Sequence, residues 1–181
     1  DPQTGDPRGY FNKVVSKDYT SMVNDSLQNL VYSGPALPTI YGSFSNTFSW
    51  NNISLLINIG YEFGYYFRKL STNYTSLFSR YSGYSDYASR WQSPGDERKT
   101  NVPSLIYPSD ANRDMFYVNS EAHIRKGDNI RIRFINLSYS LDSRLIRKLH
   151  LSGMHFYANA SNLGISWRAN KDKIDPDNYG Q

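Results

Sequence analysis

The sequence predicts an all-β chain whose antiparallel strands form part of a large transmembrane β-barrel with long extracellular loops. Three observations predict this class. Apolar and polar residues alternate with a period of two in several segments. One of these segments is much longer than the strands of globular proteins, which have about 5–6 residues. Short turns also alternate with long connections along the chain, as they do around membrane barrels.

The composition excludes several classes of protein and site. The 181 residues are 39% hydrophobic and 15% aromatic, which argues against general disorder and suits strands. The chain has no Cys and only three His, so it offers no disulfide scaffold, no thiolate metal site and no His-rich site. The net charge of +4 is too small to imply a nucleic-acid partner.

No stretch approaches the roughly 18 consecutive apolar residues of a transmembrane helix. A barrel strand needs only alternation, which averages to a polar mean hydropathy such as the −0.63 of this chain. The chain opens without an initiator Met or a signal peptide, so we expect it to come from the interior of a longer polypeptide.

Residues 1–39 are predicted to be mainly loop, because Gly, Pro, Asp and Ser dominate them. Apolar residues at helical spacing predict a short helix within 20–31. Pro35 and Pro38 then stop any regular element.

Two strands follow, joined by a two-residue turn at Asn51 and Asn52, because Asn tolerates positive φ. The first spans 40–50 and the second 53–67. Every odd position of the second strand is apolar, namely Ile53, Leu55, Ile57, Ile59, Tyr61, Phe63, Tyr65 and Phe67. A tilted strand of this length covers about 35 Å, more than the apolar band of about 25 Å around a membrane barrel. The row grades from aliphatic to aromatic, as an aromatic girdle would require.

Residues 68–127 are predicted to be mainly loop, with one weak strand within 113–124. A turn at 127–129 leads into a strand over 130–141, whose apolar phase slips near Phe134 and indicates a bulge. After a short basic connector at 142–150, residues 151–163 alternate again, and 164–181 are polar. These four or five strands are too few to close a barrel, which needs about eight.

Six blocks of the chain resemble the C-terminal part of SusC/RagA-type TonB-dependent outer-membrane receptors. The blocks are DPQTGDPRGY (1–10), SGPALPTIYGS (33–43), RWQSPGDE (90–97), GDNIRI (127–132), NLSY (136–139) and NASNL (159–163). They cover nearly the whole chain in the order of the family. Each block alone is weak, and together they are specific.

The resemblance implies a barrel of about 22 strands with an N-terminal plug. Such a barrel imports nutrients, either oligosaccharides or peptides, across the outer membrane of a Gram-negative bacterium. The implied partners are TonB, a SusD-like surface lipoprotein and outer-membrane lipid, and no cofactor is implied. The plug, the TonB-contacting segment and the last barrel strand lie outside residues 1–181, so we expect this piece alone neither to insert properly nor to transport.

Candidate ligand-binding residues fall in two places. Arg131 and Arg133 alternate on the polar face of a strand, where lumen charges tune selectivity. Alternatively, both arginine side chains are simply solvated or pair with other charges of the lumen. Tyr84, Tyr87 and Trp91 could stack on sugar rings or contact a partner lid, or could pack the loops together.

The sequence also allows other hypotheses for the fold and the function. A soluble β-sandwich carbohydrate-binding module would bury the odd face of 53–67 against a second sheet. A hydrolase could use Glu121 and His123 as an acid–base pair, although a surface pair is the simpler reading and we expect no enzyme. Asp175 and Asp177 could bind Ca²⁺ or simply form a turn. We predict no catalytic residues, no metal and no nucleic acid, since Arg144, Arg147 and Lys148 fall in a connector.

Overall fold

Three β-sheets and four short α-helices organise the described residues. The structure, a computed structural model, describes residues 1–80, 83–148 and 150–178. The elements are β1 (Gly9–Phe11), β2 (Val14–Ser16), α1 (Tyr19–Val23), β3 (Ile40–Trp50), β4 (Ile53–Phe63), β5 (Tyr66–Arg68), α2 (Tyr74–Arg80), α3 (Ala111–Asn119), β6 (Ile124–Lys126), β7 (Asn129–Ser140), α4 (Ser143–Lys148), β8 (His155–Ser161) and β9 (Ile165–Arg168). Short 3-10 helices occupy Leu27–Asn29, Ser85–Ser89, Asp96–Arg98, Glu121–His123 and Pro176–Asn178.

The chain folds as two units. The loop unit comprises Asp1–Ser33 and Arg68–Arg125, and the sheet unit comprises Gly34–Phe67 and the described residues from Lys126 onward. The sheet unit contains a five-stranded antiparallel sheet in the order β3-β4-β7-β8, with β9 also paired to β7. The other sheets are small: β1 pairs with β2, and β5 pairs with β6.

The predicted hairpin is confirmed. Strand β3 pairs with β4 along its full length, from Ile40 opposite Phe63 to Trp50 opposite Ile53. The turn lies at Asn51 and Asn52, and the positive φ of 50° at Asn51 is one that Asn tolerates. Strand β4 pairs on its other side with β7. It therefore lies between β3 and β7 in the sheet.

The long strand is shorter than the sequence predicted, because β4 ends at Phe63 rather than at residue 67. Gly64 has a φ of +75°, which takes the backbone out of the ladder. Its N–H donates to Oδ1 of Asp128 at 2.7 Å. Beyond this turn Tyr65 and Phe67 are buried. They continue the apolar odd positions in the sequence, but they do not belong to β4 and instead pack within the sheet unit.

The last predicted strand is also corrected. Residues 151–163 contain only β8 (His155–Ser161), and a second strand, β9, follows in the segment 164–181, for which the sequence analysis predicted no strand. Positive φ values at Asn162 and Gly164 separate the two strands. Both pair with β7, so together they form one interrupted neighbour of that strand.

The connections leave the sheet as predicted, with short ones at one end and a long one at the other. The turn at Asn51 and Asn52 and the connection containing α4 lie at one end of β4 and β7. The connection 64–128 begins and ends at the opposite end, where Glu62 pairs with Asn129. This arrangement is typical of membrane barrels.

The helix predicted within 20–31 is only partly present. Helix α1 spans Tyr19–Val23, and its N-cap Asp18 accepts a hydrogen bond from the Ser21 N–H at 3.1 Å. A separate 3-10 helix occupies Leu27–Asn29, and Leu27, Leu30 and Val31 are exposed. The apolar spacing therefore continues beyond the end of the helix, where these three side chains are not covered by the described residues of the loop unit.

The weak strand predicted within 113–124 is wrong, because α3 occupies Ala111–Asn119. The side chain of Asp110 caps this helix by accepting from the N–H groups of Asn112 and Arg113. The helix buries Arg113, Asp114 and Tyr117. Two of these three residues are charged, so the buried side of the helix shows no apolar periodicity in the sequence. The helix could therefore not be predicted from the spacing of apolar residues.

Polar contacts hold the interior of the loop unit together. The Arg113 guanidinium lies 2.9 Å from Oδ1 of Asp6 and donates to the backbone oxygen of Ser104 at 2.9 Å. The hydroxyl of Tyr74 donates to the backbone oxygen of Pro103 at 2.6 Å. Residues 68–127, predicted to be mainly loop, thus include helices that form a folded unit with the N-terminal segment.

Candidate functional site

Sheet register places most of the large apolar side chains on one side, here called the apolar face. Residues directly opposite each other in antiparallel strands point to the same face. Its members are Ile40, Phe44, Phe48 and Trp50 of β3; Ile53, Leu55, Ile57, Ile59, Tyr61 and Phe63 of β4; Ile130, Ile132, Ile135, Leu137 and Tyr139 of β7; Phe156, Ala158 and Ala160 of β8; and Trp167 of β9.

A bulge in β7 keeps both halves of that strand on the apolar face. Phe134 pairs with Asn58, but the next pair is Ile132 with Ile59, so Arg133 is an extra residue. An extra residue resets an alternation of period two. The predicted bulge is therefore confirmed, and it explains why the apolar positions change from even to odd along this strand.

Aromatic side chains lie at both ends of the apolar face. They are Tyr61, Phe63 and Trp167 at one end, and Trp50, Tyr139 and Phe156 at the other. The rings of Phe63 and Trp167 have centroids 6.2 Å apart, and those of Tyr139 and Phe156 are 6.5 Å apart. Between them β4 and β7 present aliphatic residues. The sequence revealed one aromatic end, and the second becomes visible only once register brings three strands together.

The apolar face is exposed over much of its area. Phe44, Phe48 and Trp50 are more than half exposed, and Leu137 and Phe156 are also exposed. These exposures show that, among the described residues of the sheet unit, no second sheet covers this part of the face. A β-sandwich requires such a sheet. The observed arrangement therefore favours a face that meets lipid or further protein over a sandwich within this chain.

The opposite side of the sheet, here called the polar face, carries hydroxyl, amide and charged side chains. Members include Ser43, Ser45, Thr47 and Ser49 of β3, Ser54, Asn58 and Glu62 of β4, Arg131, Asn136 and Ser138 of β7, and Asn159 and Ser161 of β8. Asn58 is buried and donates to Oγ of Ser45 at 2.6 Å. Uncharged hydrogen-bonding groups are numerous on this face, which also carries the larger side chains of Tyr41, Leu56, Phe134 and Tyr157.

Arg131 is committed to two carboxylates. Its Nη2 lies 3.0 Å from Oδ1 of Asp175, and its Nη1 lies 2.8 Å from Oδ2 of Asp177. Nε also donates to the amide oxygen of Asn129 at 3.2 Å. Arg131 thus pairs with other charged groups, which is the alternative to ligand binding that the sequence left open. The partners lie 44 residues or more away in sequence, so only the fold brings them together.

Arg133 is placed very differently. Its side chain is 46% exposed, and its Nη2 lies 3.7 Å from Oε1 of Glu62, which is beyond hydrogen-bonding distance. The guanidinium crosses directly over Gly60, where a Cβ would lie 2.2 Å from Nε. The two arginines that sequence reasoning treated alike thus have different environments.

The three aromatic candidates of the loop unit have different environments. Tyr84 is exposed. Tyr87 packs edge-on against Tyr74 and lies under the Arg90 guanidinium, 4.3 Å from the ring centroid. Trp91 lies against the backbone of Gly5 and donates its indole N–H to Glu97 at 3.3 Å. Tyr87 and Trp91 therefore contribute to the packing of the unit, and Tyr84 is the most accessible of the three.

Glu121 and His123 do not form an acid–base pair. They share a 3-10 helix, in which Glu121 is exposed and His123 is 5% exposed. The His123 ring packs edge-on against Tyr117 with centroids 4.5 Å apart, and its Nε2 is buried without a hydrogen bond. The imidazole is therefore packed inside the loop unit, and the alternative interpretation of these two residues as a surface pair is wrong for His123.

The loop unit should lose stability as the pH falls from about 6.5, the ordinary pKa of His, towards 4. Burial, followed by the charge of Arg125, lowers the pKa of His123 to about 4. Between these values the unfolded chain binds a proton that the folded chain excludes, so acidification favours unfolding. Hydrogen exchange of the loop unit in the intact protein, measured between pH 4 and 8, should show this slope.

His123→Leu should flatten that slope, whereas His155→Gln, a change at a histidine of the sheet unit, should leave it unchanged. A slope that survives His123→Leu would contradict the assignment to this imidazole.

No metal site emerges where the structure describes the chain: no group of three or more His, Asp or Glu residues is arranged to hold an ion. Asp175 and Asp177, the candidate Ca²⁺ ligands, both face Arg131. Oδ1 of Asp175 also accepts from the Asp177 N–H at 3.1 Å, as in the turn that the sequence predicted as an alternative.

Within the described ranges, no helix is long and apolar enough to cross a membrane.

Comparison with known proteins relates the fold to one kind of solved structure. No family model matches the chain, and no curated protein matches it. A chain of the RagAB peptide importer in the closed-closed state is similar, with a TM-score of 0.64 and 21% identity over 93% of this chain. The importer in the open-open state gives a TM-score of 0.57 at the same identity, and a structure of the RagAB peptide transporter gives 0.58.

This chain spans only 18% of the length of those chains. At 21% identity the similarity shows a related fold, with antiparallel strands and few helices arranged as in part of a much larger protein.

Proposed function

We propose that this chain is part of the wall of an outer-membrane β-barrel that imports a nutrient. The observation that carries the proposal is the apolar face, which is aliphatic along β4 and β7, aromatic at both ends and backed by a polar face. Lipid-facing walls of membrane barrels have this arrangement, whereas the interior of such a barrel is polar.

The dimensions support a membrane-spanning role. Strand β4 has 11 residues, which span about 36 Å along the strand. Tilted by about 45°, it would cover about 25 Å, the height of the apolar band of a barrel. The corrected length of β4 therefore fits this band better than the length that the sequence predicted.

The open edges of the sheet support a larger assembly. One edge of β3 and one edge of β8 have no strand partner among the described residues. Unpaired backbone groups are not tolerated in lipid, so a sheet in a membrane must close on itself. We infer that further strands of a longer polypeptide flank both edges, in the barrel of about 22 strands that the SusC/RagA resemblance implies.

In this proposal the protein is a TonB-dependent receptor in the outer membrane of a Gram-negative bacterium, paired with a SusD-like surface lipoprotein. The cargo is an oligosaccharide or a peptide, and the chain has no catalytic role. The RagAB similarity favours a peptide, since those structures are of a peptide importer. Hydroxyl and amide groups on the polar face could bind either cargo through hydrogen bonds.

The test uses the full-length protein in its own host. We expect it in the outer-membrane fraction, and we expect uptake of labelled oligopeptides or oligosaccharides to depend on both the protein and an energised inner membrane. Recovery in a soluble fraction, or uptake that persists in the deletion strain or with a protonophore, would contradict the proposal. The 181-residue chain alone should need detergent to stay in solution, whereas a β-sandwich would be a detergent-free monomer.

A further inference from the structure

We propose that Arg133 is a cargo-recognition residue that binds a carboxylate group of the imported molecule. This inference rests on the proposed import function, because it assumes that the polar face lines the path of the cargo. It names one residue and the chemistry that this residue would select. The carboxylate could belong to a peptide or to an acidic sugar.

The bulge is the first observation behind the proposal. Arg133 is the extra residue opposite Asn58 and Ile59, and its side chain lies on the polar face over Gly60. Regular alternation from Arg131 and Ile132 would also place residue 133 on that face, but it would place Phe134 on the apolar one. The bulge instead pairs Phe134 with Asn58. The bulge therefore leaves Arg133 without an opposite residue on β4, and bulges are often found next to functional sites.

Gly60 is the second observation. A side chain at this position would have its Cβ 2.2 Å from Nε and 3.0 Å from Cζ of Arg133. The absence of a Cβ allows the guanidinium to lie across the backbone of β4. A glycine inside a strand often marks such a close approach. Gly60 therefore provides the space in which the Arg133 side chain is held.

Availability is the third observation. The guanidinium of Arg133 makes no hydrogen bond to the described residues, and its nearest carboxylate, Glu62, is 3.7 Å away. Arg131, two residues earlier, already contacts Asp175 and Asp177 and is 20% exposed, against 46% for Arg133. Arg133 thus keeps the planar pair of N–H donors that matches a carboxylate.

Neighbouring charges affect which ligands Arg133 could hold. Glu62 is close enough to orient the guanidinium electrostatically but too far to satisfy its donors. Asp175 and Asp177 are engaged by Arg131. A cargo carboxylate would therefore gain two charge-assisted hydrogen bonds from Arg133 while competing with the ion pair to Glu62 and with the longer-range attraction of Asp177.

The test measures binding to the full-length protein in detergent micelles by calorimetry. The probes are tri-alanine and tri-alanine amide, and digalacturonic acid and its methyl ester, so that the two sources of a carboxylate are compared separately. Arg133→Gln should weaken binding of the acid form of at least one pair by about 10- to 100-fold and leave the neutral form unchanged. Arg133→Lys, which keeps the charge but not the fork, should give an intermediate loss.

Two further variants keep the test independent of folding. Gly60→Ala should displace the flexible guanidinium without removing its charge, and should reduce the preference for the acid form. Arg168→Gln, which removes a positive charge from β9, should leave that preference unchanged. Equal effects of Arg133→Gln on acid and neutral forms would overturn the role of Arg133 while leaving import intact. Failure of the wild-type protein to bind any of the four probes would overturn both this inference and the proposed cargo class.

Discussion

Ile57→Lys should lower the stability of the intact protein in lipid vesicles by about 2–4 kcal/mol, while Thr47→Lys should lower it by less than about 1 kcal/mol. Ile57 lies in the middle of the apolar face, opposite Asn46 and Ile135. Thr47 is the neighbour of Asn46 on β3 and belongs to the polar face. The two positions therefore have nearly the same depth and opposite orientations.

The difference between these variants follows from the solvent that each face meets. A Lys at the centre of a lipid-facing strand must leave water or distort the bilayer, whereas a Lys in a polar lumen remains hydrated. Urea unfolding of the full-length protein in vesicles measures both values. Equal losses for the two variants would show that the apolar face does not meet lipid.

Arg113→Met should cost the loop unit about 3 kcal/mol, the low end of the range for breaking a buried ion pair. Arg113 is 2% exposed, and it contacts Asp6 and both the backbone oxygen and the hydroxyl of Ser104. Removing the guanidinium leaves these acceptors without their donor. The loss stays at the low end because Lys17 also lies 3.2 Å from Asp6.

The matched control for this change is Lys99→Ala. Lys99 and Asp96 form an exposed ion pair at 3.9 Å, with the Lys99 side chain 81% exposed. Such pairs contribute about 0–1 kcal/mol. Hydrogen exchange of the loop unit in the intact protein should separate the two variants clearly. Similar protection in both would show that Arg113 does not hold this unit together.

The sequence located the main sheet well because its signal is local. Alternation over 40–50 and 53–63 depends only on neighbouring residues, and one face of each strand is apolar. The phase slip near Phe134 likewise indicated the bulge before any register was known. Errors occurred where a local pattern continued past the end of an element, as at Gly64 and after Val23.

The helix α3 was missed for the opposite reason. Its buried stripe contains Arg113, which pairs with the distant Asp6, and Asp114, which accepts a hydrogen bond from the distant Thr75. Burial of charged groups depends on partners rather than on periodicity. No pattern within 113–124 contained that information.

For the candidate site, too, the sequence predicted one part and the tertiary structure decided the rest. The sequence selected Arg131 and Arg133 because both alternate with apolar residues, but it treated them as equivalent. Their difference comes from Asp175 and Asp177 on one side and from Gly60 on the other. The signal that could have suggested β9 is the alternation in Ile165–Arg168, which was too short to stand out.

The sequence by itself therefore determined the period of the strands, their apolar side and the position of the bulge, since each depends on the order of adjacent side chains. The tertiary structure alone decided which strands share a face, where the second aromatic end lies and which arginine remains available. Those properties depend on register and on contacts between different segments of the chain, such as the pairing of β4 with β7 and the contact of Arg131 with Asp175, 44 residues away. Contacts of that kind form only when distant segments are brought together by folding.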